Sequence, residues 1–131
     1  MRVGVVGAGN MGSGIAQKVA MEGIDVTLVD REARFVEAGL ARIRASLEEA
    51  AARKVVSAAA AREIQGRIAS SADLAAVRGC DLVIEAVCED RAVKKEVFRR
   101  LDEVCAAETV LATNTSSFTV SELAEAAARP E

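Results

Sequence analysis

Residues 3–14 read VGVVGAGNMGSG. Val3 to Val6 form a short apolar run bounded by glycine, which predicts a buried strand. Gly7 to Gly12 then spell G-x-G-x-x-G. Behind the glycines, Ile15, Ala16, Val19 and Ala20 recur at helical spacing, and Gly23 stands where a helix would stop. Residues 24–30, IDVTLVD, are β-branched and apolar and predict a second strand that ends in Asp30. Strand, glycine turn, helix and strand make a β-α-β unit, and that crossover requires parallel strands.

Each part of the turn has a physical task when a dinucleotide is the ligand. Gly7 lets the chain turn tightly. Gly9 lets the backbone approach a pyrophosphate with no side chain between. Gly12 allows the helix to pack closely on the strand. The free N–H groups of the helix N-terminus, where Asn10 and Met11 stand, and the helix dipole then hold the phosphates. The Asp30 carboxylate can accept bonds from both hydroxyls of an adenine ribose. It would repel a 2′-phosphate, which favours NAD over NADP, while the neighbouring Arg31 pulls the other way. The alternative is a glycine-rich turn that serves only the fold. The agreement of strand, turn, helix and acid weighs against it.

The rest of the chain continues the alternation. Val36, Leu40, Ile43 and Leu47 share one face of a long helix, with Arg42, Arg44, Glu48 and Glu49 off that face. A second helix is expected from near Ser57, carrying Ile64 and Ile68. Together they predict a helical hairpin projecting after the second strand. RIAS, residues 67–70, reads as a short third strand, DLVIEAV, residues 81–87, as a central one, and TVLAT, residues 109–113, as the fifth. Asp90 can cap a helix with Val93, Val97, Phe98, Leu101 and Val104 as its apolar face. Thr119 and Glu122 make a capping box, so the last helix starts near Val120. The fold expected is α/β, a Rossmann-like doubly wound parallel sheet with a helical hairpin inserted after the second strand, all 131 residues in one domain.

Composition narrows the function classes. Hydrophobic residues are 51% of the chain, enough for a core, and the net charge of −3 lacks the basic stripe of a nucleic-acid binder. No apolar run reaches the length of a membrane span, and no leader precedes the first strand. The three cysteines, Cys80, Cys88 and Cys105, lack a C-x-x-C spacing and read as small packing residues in a reducing, cytoplasmic compartment. With no histidine, a Cys/His zinc site is excluded.

Further candidates lie past the carboxyl ends of the later strands, where this fold takes its ligands. Ala86, Cys88, Glu89 and Asp90 follow the fourth strand. Glu89 reads either as a bond to a cofactor ribose or as a solvated acid near a helix start. Lys94 sits in the first turn of the next helix, where a cation is slightly disfavoured. It reads as a contact for an anionic substrate or as an exposed lysine beside Lys95. After the fifth strand come Asn114, Thr115, Ser116 and Ser117. Thr119 already fills the capping role, although Ser117 is an alternative cap. The cluster therefore belongs to the loop at the ligand edge, where an amide and hydroxyls can orient a nicotinamide and a substrate oxygen.

Three segments resemble the L-3-hydroxyacyl-CoA dehydrogenases, including the 3-hydroxybutyryl-CoA dehydrogenases. They are GVVGAGNMGSGIAQKVA with VTLVD behind it, DLVIEAVCEDRAVKKEVFRRLD, and LATNTSSFTVSELA. With the intervening hairpin, the resemblance covers essentially the whole chain. It implies NAD-dependent oxidation of a 3-hydroxyacyl-CoA to the 3-ketoacyl-CoA. Asp30 would bind the adenosine ribose, and Ala86, Glu89 and Lys94 would line the cofactor and CoA side. Asn114 would meet the nicotinamide region, and Ser116 would hydrogen-bond the substrate oxygen. The family's base is a histidine held by a glutamate, in a segment after the last helix here. Its helical C-terminal domain closes the cleft and supplies homodimer contacts. Arg129-Pro130-Glu131 stand about where that segment would follow, so the expectation is the cofactor-binding part, with NAD binding and little turnover alone. The rivals are the nucleotide half of a 3-hydroxyisobutyrate or 6-phosphogluconate type dehydrogenase, and a free-standing NAD-binding or sensing module.

Overall fold

The computed structural model describes residues 1–128. Five strands form one parallel sheet: β1 (Arg2–Val6), β2 (Asp25–Val29), β3 (Ile68–Ser71), β4 (Leu82–Glu85) and β5 (Val110–Thr113), in the order β3-β2-β1-β4-β5. The helices are α1 (Asn10–Met21), α2 (Ala33–Ala52), α3 (Ala58–Gly66), α4 (Arg91–Val104) and α5 (Val120–Ala124). The chain winds outward from β1 through β2 to β3, then returns to the other side of β1 with β4. That reversal is the switch point at which such sheets open a crevice. The doubly wound α/β fold is as the sequence reading had it.

Alternation along each strand divides the core between two faces. Val3 and Val5 of β1, with Val26 and Leu28 of β2, meet Ala16 and Ala20 of α1 and Ile43, Leu47, Ala61 and Ile64 of the α2–α3 hairpin. The hairpin is therefore anchored on α1, and its tip is the turn 53–57. The opposite face carries Val6, Val29, Val77 and Val83 against Leu101 and Cys105. Leu28, Leu47 and Leu101 are fully buried. Truncating any one of them to alanine would cost about 2–5 kcal/mol.

Local signals set most of the boundaries. Gly23 has φ +81° and follows the end of α1, the left-handed residue that closes a helix. Ser57, Asp90 and Thr119 cap α3, α4 and α5, and Thr119 with Glu122 forms the complete capping box. One boundary differs from expectation. Ile68 does not continue α3, which ends at Gly66, but opens β3 and pairs with Val26. Pairing with the edge of β2 outweighs one more helical turn, and glycine is a poor residue through which to extend a helix.

The cysteines also divide. Cys80 and Cys105 are buried, and burial pushes the Cys80 thiol up from its ordinary pKa. Cys88 is exposed on the wall of the cleft described below, contrary to the packing role expected of it. The ladder of β4 ends at Glu85, so strand alternation no longer directs Cys88 into the core.

Candidate functional site

A cleft of about 610 Å³ opens at the carboxyl ends of β1, β2 and β4. Its floor is the glycine turn, Gly7 to Met11, with Asp30 on one side and Ala86, Val87 and Cys88 on the other. Phe35, Ala38, Leu74, Val93 and Val97 supply apolar walls. The Arg31 and Arg34 guanidinium groups lie 5.4 and 4.8 Å from the centre of the Phe35 ring.

The three glycines of the motif are there for different reasons. Gly7 has φ +109°, and a Cβ on it would meet the Ala86 carbonyl oxygen at 2.4 Å. A Cβ on Gly12 would sit 1.7 Å from the Gly7 oxygen. Both are required by packing alone. A Cβ on Gly9 would meet nothing within 4 Å. The protein has no packing use for the bare backbone there, and what it leaves is open space at the start of α1. Gly9 is itself the N-cap and offers no side-chain acceptor, so the first amides of α1 lack the cap that Ser57, Asp90 and Thr119 give their helices. Open space beside uncapped amides and a positive dipole end suits a phosphate group.

Asp30 has a structural task as well. One carboxylate oxygen accepts from the Ala8 amide at 2.8 Å, and the other from the Arg31 amide at 2.7 Å. Each oxygen keeps a lone pair for a further donor such as a ribose hydroxyl. Arg42 donates from Nη1 to the Ala8 carbonyl at 3.0 Å and lines the cleft. It was missed because an arginine off the apolar face of a helix gives no signal of what it reaches. Arg31 lies 3.9 Å from Glu32, which offsets part of the charge it would offer a 2′-phosphate.

The remaining candidates gather beside the cleft, around two buried charges. Glu85 and Lys94 are both fully buried, 2.7 Å apart, on the α4 face of the sheet. Lys94 is thus neither the exposed lysine nor the free anion contact that the sequence allowed. Its ammonium donates to Glu85 and to the Val87 carbonyl at 3.1 Å, and pairs with Glu89 at 3.2 Å. Glu85 also accepts from the Val87 amide at 2.7 Å and the Thr113 hydroxyl at 2.6 Å. Its signal in the sequence was a carboxylate inside an otherwise apolar strand. Glu89 accepts from the Thr115 hydroxyl at 2.7 Å, and that bond, with Lys94 beside it, holds its carboxyl below the usual range. Asn114 donates its amide to the Glu85 carbonyl at 2.8 Å, and its side chain is exposed. Ser116 is exposed in the same loop.

The site candidates thus form two groups. Gly7, Gly9, Asn10, Met11, Asp30 and Ala86 line the cleft, with Gly12 packed behind it. Glu89, Lys94, Asn114 and Ser116 stand at the neighbouring part of the same edge, after β4 and β5.

This arrangement has close relatives. Residues 2–131 match the family model described as 3-hydroxyacyl-CoA dehydrogenase, NAD binding domain. A 3-hydroxybutyryl-CoA dehydrogenase of Bradyrhizobium diazoefficiens is 40% identical over 130 residues, which are 99% of this chain and 44% of that protein. A 3-hydroxyadipyl-CoA dehydrogenase of Escherichia coli is 37% identical over 98% of this chain and 27% of its own length. The crystal structure of Mycobacterium tuberculosis FadB2 superposes with a TM-score of 0.96 at 43% identity, covering 98% of this chain and 46% of that one. The chain spans about half the length of the curated 3-hydroxybutyryl-CoA dehydrogenases it matches. With its glycine turn, acid-tipped second strand and parallel sheet, the chain belongs to the family of NAD-binding domains of 3-hydroxyacyl-CoA dehydrogenases.

Proposed function

We propose that this chain is the cofactor-binding part of an enzyme that oxidises (S)-3-hydroxyacyl-CoA to 3-ketoacyl-CoA with NAD. The observation that carries the reading is Gly9, a glycine with no packing reason, at an uncapped helix start and in the same cleft as Asp30. When bound, NAD supplies the hydride acceptor. The chain's own residues bind and orient. The amides of Asn10, Met11 and Gly12 would hold the pyrophosphate, and Asp30 the hydroxyls of the adenine ribose. Ala86 and Glu89 would face the nicotinamide half, with Lys94 buried behind Glu89 as its ion-pair partner. Asn114 would orient the nicotinamide, and Ser116 would hydrogen-bond the substrate oxygen.

Oxidising an alcohol also needs a proton acceptor. The 131 residues contain no histidine, and a serine hydroxyl is no base at neutral pH. The base would come from a segment after the last helix here, and a further helical domain would supply the homodimer contacts. Three cysteines that form no disulfide among the described residues fit a cytoplasmic setting. Calorimetry with NAD, NADP and acetoacetyl-CoA tests this. NAD should bind more tightly than NADP, and the 131-residue chain should turn over 3-hydroxybutyryl-CoA poorly. Binding of neither dinucleotide refutes the cofactor role. Brisk turnover refutes the missing base.

A further inference from the structure

The Glu85–Lys94 pair poses an energetic question. Removing two charges from water costs several kcal/mol per ion, and apolar residues of the same volume often serve stability as well or better. Glu85 and Lys94 have no exposure to solvent, so water does not offset that cost. Core packing therefore does not account for it.

Its bonds account for it differently. Glu85 is the last residue of β4, and its two carboxylate oxygens reach two different loops. Oε1 takes the Val87 amide and Lys94, which fixes the turn after β4. Oε2 takes the Thr113 hydroxyl at the end of β5. Thr113 Oγ1 in turn accepts the Thr115 amide at 3.2 Å. Thr115 Oγ1 accepts the Ser117 amide at 3.2 Å and donates to Glu89, which returns to Lys94. The circuit closes on itself, and no buried side-chain polar atom among the described residues lacks a partner. A polar network satisfied at every member rigidifies what it touches.

We infer that Glu85 is a positioning residue: through Lys94 and Thr113 it locks the loops after β4 and β5 in one arrangement, and so presents Asn114 and Ser116 to the nicotinamide end of the cofactor. This rests on the reading of the edge as an NAD site. Neither Glu85 nor Thr113 lines the cleft.

The test compares NAD with ADP, which fills only the half built on the glycine turn and Asp30. Glu85→Gln and Thr113→Val should each weaken NAD binding about tenfold and leave ADP binding within about twofold. Thr113→Ser, which keeps the hydroxyl, should restore NAD binding. Amide hydrogen exchange at Ser117, which loses no direct partner in either variant, should quicken by about an order of magnitude. Glu85→Gln breaks a buried pair and can unfold the chain; Thr113→Val cuts only the β5 arm and keeps the test decisive. Equal losses for NAD and ADP, or no loss for either, overturn the inference. Unchanged exchange at Ser117 overturns it whatever the ligand. If the unaltered chain binds neither NAD nor ADP, the cofactor reading fails, and the Ser117 exchange still decides the positioning role.

Discussion

The two halves of the ligand edge are built on different physics. The half after β1 and β2 is mostly backbone against backbone: Gly7 and Gly12 are required by contacts with main-chain oxygens, and the Asp30 carboxylate holds the turn through the Ala8 amide. The half after β4 and β5 is built from side chains, around a charge pair with no exposure to solvent. The first arrangement tolerates almost no change in atom count, at Gly7 because of the distant Ala86 carbonyl and at Gly12 because of the nearby Gly7 oxygen. The second spans Glu85 to Thr115 and depends on charge balance. A steric error in the first half and an electrostatic error in the second should therefore fail in different ways.

The largest effect should come from Lys94→Met, which leaves the Glu85 carboxylate buried and unpaired. About 3–5 kcal/mol of stability should be lost. The double variant Glu85→Leu/Lys94→Met should recover much of that in urea unfolding. If the double variant is as unstable as the two single losses added together, the charges are not coupled and the contrast between the halves collapses. Gly12→Ala comes next. The added Cβ would lie 1.7 Å from a backbone oxygen, and the loss should reach about 3 kcal/mol, the upper range for overpacking, read as a lower melting temperature.

Gly9→Ala sharpens the comparison from inside the first half. Its Cβ meets no protein atom, so the melting temperature should stay within the error of a surface change, about ±0.5 kcal/mol. NAD binding should nonetheless fall about tenfold by calorimetry. A large stability loss would mean that the open space at Gly9 has a packing role after all.

Two smaller effects lie outside both halves. Glu122 is held below the usual carboxylate range by the Thr119 amide and hydroxyl, with Arg91 nearby. Its folded pKa is depressed, so its contribution is complete above the unfolded value of about 4.3 and is lost as pH falls through the folded value. Glu122→Gln should flatten the acid limb of a melting-temperature profile by lowering the neutral plateau slightly, with the low-pH end nearly unchanged. Lys54 has φ +59° at the turn between α2 and α3, a conformation that suits glycine. Lys54→Gly should raise stability by about 0.5 kcal/mol, visible as a small shift in the unfolding midpoint.

The first half of the edge was legible because its signals are local. A glycine that must turn, a glycine that must admit a helix and an acid at a strand end all lie within residues 7–30, where spacing is geometry. The capping box at Thr119 and Glu122 and the stop at Gly23 were readable for the same reason. Ile68 was misplaced because helix and strand both accept an isoleucine, and the decision belonged to its partner Val26. Cys88 was misplaced because its exposure depends on where the β4 ladder stops.

By itself, then, the sequence determined the order of elements, the parallel sheet, the glycine turn and the family. Those follow from periodicity and short-range sterics. Tertiary structure alone decided that Lys94 is buried, that Glu85 is its partner, and that Arg42 reaches the glycine turn. Lys94 and Glu85 stand nine residues apart on different elements, so whether they form an exposed pair or a buried one depends on the packing of α4 against the sheet. Charge in a sequence has a sign; only the fold gives it a dielectric environment and a partner.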